Sequence, residues 1–162
     1  MLVWLFACSQ SNQVKEDLEW IDITNYRFAL EADIYPEHQP EVVECPPNGF
    51  RVEVEQLEIQ TDICNYAVVE WTTQHFVPSG TTFEALVLHT GLWSLEDANA
   101  HFALSIDGNL FWEEFPPIPS NTEFFFYEAS LPYEVSSGAK VHLHLHNHGA
   151  NDWKLGYFQP IQ

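Results

Sequence analysis

The sequence predicts an all-β protein, an antiparallel β-sandwich folded as one domain. Three observations predict it. Aromatic residues make up 15% of the chain and apolar residues 46%, with Val, Ile, Thr, Phe, Tyr and Trp plentiful; these are the residues that suit a pleated, half-buried surface. Ten prolines punctuate the chain, and no long stretch repeats at helical period. Short alternating runs bounded by turn residues recur instead, the signature of short strands. At 162 residues the chain is long enough for one ordinary hydrophobic core.

The elements follow in order. Residues 1–8 read as a signal-like segment. The apolar run ends in Leu5-Phe6-Ala7-Cys8, followed by Ser9. This resembles the lipobox of bacterial lipoproteins, which implies lipid on Cys8 and an extracytoplasmic protein held at the outer membrane or cell surface. No Lys or Arg precedes the run and it is short, which a truncated or misassigned start explains. Residues 9–44 read as an acidic tether. Nine acids face only Lys15 and Arg27, and "YPEHQPEVVE" places two prolines among acids, a composition that extends a linker. Trp20, Ile21, Ile23, Tyr26 and Phe28 make the segment more apolar than a plain linker, so it can add one edge strand.

Residues 45–162 form the sandwich domain. Strands are expected near 50–54, 57–61, 66–71, 82–89, 101–106, 109–115, 122–129, 139–146 and 153–159. Asp107-Gly108 in "SIDGNLFW" marks a hairpin turn. Cys45 and Cys64 flank the first pair of strands. With Cys8 lipidated they remain as a pair, and their disulfide would close a loop worth ~3 kcal/mol in the chain-entropy model. Such a bond belongs to an oxidising compartment. Separate buried thiols are the alternative.

This series of strands, ending in a Gly-Asn-rich bend ("NHGANDW") and a last aromatic strand ("KLGYFQP"), resembles the jelly-roll of galactose-binding-like domains and carbohydrate-binding modules. The resemblance implies a jelly-roll-like sandwich and a binding role more often than catalysis.

Charge narrows the partners. The formal net charge is −19, with five Lys plus Arg against 24 Asp plus Glu. Nucleic acid is excluded as a partner, because binding it requires cations to displace counterions. Contact with a membrane is expected through a lipid anchor only. Cations, by contrast, concentrate near an acidic surface.

The segment "VHLHLHNHGANDW" carries the sharpest signal. His142, His144, His146 and His148 occupy alternate positions, so in a strand they share one face while Val141, Leu143 and Leu145 point to the core. Two imidazoles of a His-x-His pair can converge on one ion, zinc first among the candidates. A third ligand must come from elsewhere: His101, on the non-core face of its own strand, or His89 at the end of "FEALVLH". Glu96, Asp97 or Asp152 would supply oxygen. Gly138, His144 and His146 also fit the first part of the cupin metal motif, G-x5-H-x-H. The glutamate of that motif falls on Ala150 or Asn151, so the match is incomplete and leaves a metal-dependent enzyme as an alternative function. A solvent-facing or hydrogen-bonded histidine ladder is the simplest reading of the same residues, and a structural surface protein whose histidine face packs on a partner is a third class.

Carbohydrate is the other candidate ligand. An exposed tryptophan offers a flat face to a sugar ring, with neighbouring polar groups for its hydroxyls. Trp93, Asp97, Asn99, Asn147, Asn151 and Trp153 would form such a rim if their two loops meet. No nucleophile elbow, phosphate loop or C-x-x-C pair is present, so no catalytic residue is assigned.

Overall fold

The computed structural model describes residues 19–161. The lipobox-like residues and Cys8 lie outside the described residues. All named strands pair antiparallel. In chain order they are β1 (Arg27–Phe28), β2 (Phe50–Glu53), β3 (Gln56–Gln60), β4 (Tyr66–Thr72), β5 (Thr82–His89), β6 (Ala98–Asn99), β7 (His101–Ile106), β8 (Asn109–Glu114), β9 (Pro117–Ile118), β10 (Glu123–Ser130), β11 (Lys140–His146) and β12 (Asp152–Pro160). One five-stranded sheet runs β1-β4-β11-β7-β8 and the other β10-β5-β12-β3-β2, while β6 and β9 form a short ribbon. The protein is therefore an antiparallel β-sandwich, and its long strands coincide with those expected from alternation.

Alternation explains the core. Val141, Leu143 and Leu145 of β11 lie beside Phe102, Leu104 and Ile106 of β7 and Val69 and Trp71 of β4. Leu57 and Ile59, Phe83, Ala85 and Val87, and Trp153, Leu155 and Phe158 come from the facing sheet. The β7–β8 hairpin turns at Asp107 and Gly108, both with positive φ (47° and 76°), as a twisted two-residue turn requires. Cys45 and Cys64 are disulfide-bonded and tie the ends of the β2–β3 hairpin together.

The segment read as a tether behaves differently from that expectation. From Glu19 onward it is packed on the sandwich. Trp20, Ile21 and Ile23 are buried in the core, and Trp20 sits edge-on to Phe83 and Phe158. The apolar content of "WIDI" outweighs its charge, because burying Trp20, Ile21 and Ile23 gains free energy while Asp22 stays at the surface. The expected edge strand is β1, two residues long and paired to β4. The chain then crosses the outer face of the first sheet through short 3₁₀ turns at Leu30–Ala32 and Pro36–His38.

Arg27 fastens this strap. Its guanidinium donates from Nε and Nη2 to both Glu70 oxygens, each at 2.8 Å. Lys140 Nζ lies 3.1 Å and His142 Nε2 3.0 Å from the same carboxylate. The Arg27 hydrogen bonds are the main cause that holds the Glu70 carboxyl down at about 2, against an ordinary 4.5; burial opposes them, and Lys140 and His142 add to them. Between those pH values the unfolded chain binds the proton that the folded chain does not. The stability that Glu70 contributes is thus whole above its ordinary value and is lost as pH falls toward about 2. Glu70→Gln is expected to lower stability by ~2 kcal/mol at neutral pH. In urea unfolding followed by circular dichroism, the difference from the unaltered protein should narrow as pH falls through that window.

Candidate metal centre

The outer face of the first sheet is lined by Tyr66, Val68 and Glu70 of β4, His142, His144 and His146 of β11, and His101, Ala103 and Ser105 of β7. Cross-strand register sets His146 opposite both Tyr66 and His101, and His144 opposite Val68 and Ala103. This face is not wet. His101, His142 and His144 are buried, because residues 27–38 lie over them.

The strap contributes side chains of its own. His38, His101 and His144 each offer a ring nitrogen, and these nitrogens lie within 4.8 Å of one another. The Nδ1 atoms of His38 and His101 are 2.9 Å apart, one donating to the other. His144 Nδ1 meets Asp33 Oδ1 at 3.0 Å, and His101 Nε2 meets Glu113 Oε2 at 3.2 Å. A carboxylate accepts, so these contacts assign the protons: Nδ1–H on His144 and Nε2–H on His101. In a neutral ring the other nitrogen then carries a lone pair. His144 Nε2 is buried and has no hydrogen-bond partner.

The two carboxylates are themselves held. Glu113 accepts from the Tyr35 hydroxyl at 2.5 Å. Asp33 accepts from the Tyr66 hydroxyl and from the Tyr35 backbone N–H. Burial pushes the Asp33 carboxyl up, but the bonds from His144, Tyr66 and Tyr35 outweigh it, and the net shift is downward. Burial, then Glu113, pushes the Tyr35 hydroxyl up; burial, then Asp33, does the same for Tyr66. Both tyrosines therefore remain donors at neutral pH. Burial is also the main cause that depresses His101 and takes His146 down to about 4.

An imidazole that gives one N–H to a carboxylate and keeps its other nitrogen free for an ion is the arrangement of metal-ligating histidines. Two nitrogens on one tetrahedral zinc sit roughly 3.3 Å apart, close to the His38–His101 separation of 2.9 Å. Small ring movements and a shift of the shared proton to His38 Nε2 would complete a three-nitrogen set.

Of the histidines that sequence reasoning nominated, the structure brings His101 and His144 together. His146 stands next to them, its ring centre 6.2 Å from His38 and 5.5 Å from Tyr66, and the exposed His148 lies against it, ring centres 4.6 Å apart and planes tilted by 52°. His142 is instead engaged by Glu70. His89 belongs to β5 in the other sheet and packs on Trp153 and Phe125. The correction for these two has a simple cause: shared periodicity sets a face, not a partner. Glu96, Asp97 and Asp152 are not in the cluster. His38, Asp33, Tyr35, Tyr66 and Glu113 were not foreseen. For the three of them in the strap, Asp33, Tyr35 and His38, the one signal was the run "DIYPEHQP", with Tyr, His and two prolines in eight residues.

The sugar rim divides in the same way. Its two loops do meet: Asn151 Oδ1 accepts from the Trp93 backbone N–H at 2.7 Å, and Gly149, at φ +93°, lies so close to the Trp93 carbonyl that a Cβ there would overlap it. Trp153, however, is buried against His89 and Phe102, and its indole N–H donates to the buried Asn147 at 3.3 Å. Asn147, Asn151 and Trp153 thus hold the fold and present no face to solvent. Trp93, Asp97 and Asn99 remain exposed.

No family model matches the chain, and no curated protein matches it. Solved structures do. A family 16 carbohydrate-binding module shares 9% identity at a TM-score of 0.42, over 74% of this chain and 85% of that one. TmCBM61 in complex with β-1,4-galactotriose shares 11% at 0.41, over 87% and 90%. CBM35 from Paenibacillus barcinonensis shares 12% at 0.37, over 88% and 97%. Likeness at this level says nothing about what this chain binds; the sandwich itself is established by its strand order.

The proton assignment is directly measurable. Long-range ¹⁵N–¹H correlation spectra at neutral pH should show His144 as the Nδ1–H tautomer and His101 as the Nε2–H tautomer. Asp33→Ala should release His144 to the Nε2–H form while His101 stays as it was.

Proposed function

We propose that the protein is an extracytoplasmic binding module whose main ligand is a divalent transition metal, with zinc the best fit, held by His38 Nδ1, His101 Nδ1 and His144 Nε2. The single observation behind this reading is the buried, unpartnered His144 Nε2 in a cluster of three imidazoles, two of which, His144 and His101, are each fixed by a carboxylate. A buried polar atom without a partner is costly, and a metal ion would satisfy it. Asp33 and Glu113 are both occupied with orienting ligands and tyrosines, which favours holding an ion over catalysis with one. The disulfide and the lipobox-like Leu5-Phe6-Ala7-Cys8 support a lipid-anchored protein outside the cytoplasm: the disulfide uses two of the three cysteines and leaves Cys8 for lipid.

Carbohydrate binding is the second reading. One observation favours it: Trp93 is 58% exposed on a loop pinned by Asn151, with Asp97 and Asn99 exposed nearby in sequence. That surface uses none of the histidines of the cluster, so the two readings are independent.

Equilibrium dialysis of the untagged chain against zinc, with metal content read by mass spectrometry, tests the first. One tightly held zinc per chain is expected. His144→Ala and His101→Ala should abolish it, Asp33→Ala should weaken it by about 10–100-fold, and His142→Ala and His89→Ala should leave it intact. Failure to bind zinc, or binding that survives His144→Ala, would falsify the reading. A glycan array tests the second: any sugar retained should be lost in Trp93→Ala and kept in His144→Ala, and an empty array sinks it.

A further inference from the structure

The three-nitrogen set leaves His146 and His148 unused, although they continue the same row. Asn147 explains why they stay in line past the end of β11. Its amide donates to Thr61 Oγ1 at 2.9 Å and its carbonyl accepts from the Trp153 indole, so its side chain is locked inward. The residues on either side, His146 and His148, then point the same way, and their tilted rings come within 4.6 Å, centre to centre.

The result is a graded path. His148 is exposed, His146 half-buried, and His144 and His101 buried. Ring centres step from His148 to His146 at 4.6 Å, from His146 to His38 at 6.2 Å, and from His38 to His101 at 4.9 Å and His144 at 5.8 Å. The other approach to His101 is covered by Phe115, stacked on its ring at 4.1 Å and nearly parallel. A surface carrying a net charge of −19 draws cations toward it, which raises their local concentration at an exposed imidazole.

Resting on the metal reading above, we propose that His148 and His146 form an entry site that captures a divalent transition-metal ion at the surface and hands it to the buried His38–His101–His144 set. Hydrated zinc exchanges one ligand at a time, and a row of imidazoles lets each lost water be replaced by a nitrogen before the next is lost. Such a row lowers the barrier for loading. A lowered barrier serves both directions, so it speeds release by the same factor and leaves the equilibrium affinity unchanged.

The test is stopped-flow transfer of zinc from a coloured chelator to the full chain, and release into excess EDTA, for the unaltered protein, His148→Ala and His146→Ala/His148→Ala. The expected result is loading and release both slowed by about tenfold in the double variant, and by less in the single one, with the equilibrium affinity within about twofold of the original. Unchanged rates at normal affinity overturn the entry path and leave the metal reading standing. Loss of equilibrium affinity in the double variant overturns it too, because His146 is then a ligand of the buried ion. Absence of zinc binding by the unaltered chain overturns both readings together.

Discussion

The candidate site depends on one constraint: the outer face of the first sheet must be covered. That face carries Tyr66, Glu70, His101, His142 and His144, all of them buried. Leaving such groups under cover without partners would cost several kcal/mol, of order 1–3 for each. The strap supplies the partners. Arg27 answers Glu70, Asp33 answers His144 and Tyr66, and His38 answers His101. Cover and site are thus the same piece of chain.

This arrangement links stability to chemistry. The Arg27–Glu70 pair anchors one end of the strap on β4, and the Asp33 and Tyr35 contacts anchor the next turns on β11 and β8. An ion bound between His38 and the two sheet histidines would add a bond across the same interface, so binding and strap docking would reinforce each other. The carboxylates have a double part as well. They fix the histidine tautomers, and they hold the tyrosines that close the space around the rings.

The far end of the row shows how local packing extends a pattern beyond its strand. Asn147 and Asn151, attractive as sugar contacts in the sequence, are occupied within the fold by Thr61, Trp153 and the Trp93 loop. A side chain that satisfies the backbone around a bend is not available to a ligand. Their work is to keep His148 aligned with His146 and to fix the loop that displays Trp93.

Much of this was legible in the sequence. Alternation alone placed the long strands, separated Val141, Leu143 and Leu145 from the histidines, and put His101 on the same kind of face, because period two is a property of the extended backbone. The Asp107-Gly108 turn and the Cys45–Cys64 bond were equally local in their logic. The membership of the site was not legible. Which strands flank β11 decides that His101 and not His89 meets His144, and pairing between distant strands leaves no trace in local pattern. The docking of the strap leaves no local trace for the same reason. Its charge argued for solvent, whereas Asp33 is held by His144 and the Tyr66 hydroxyl, and Arg27 by Glu70, partners that only the folded sandwich brings within reach. The sequence by itself determined the strands and the faces of their side chains; the tertiary structure alone decided which face is covered, by what, and therefore where a metal ion has ligands.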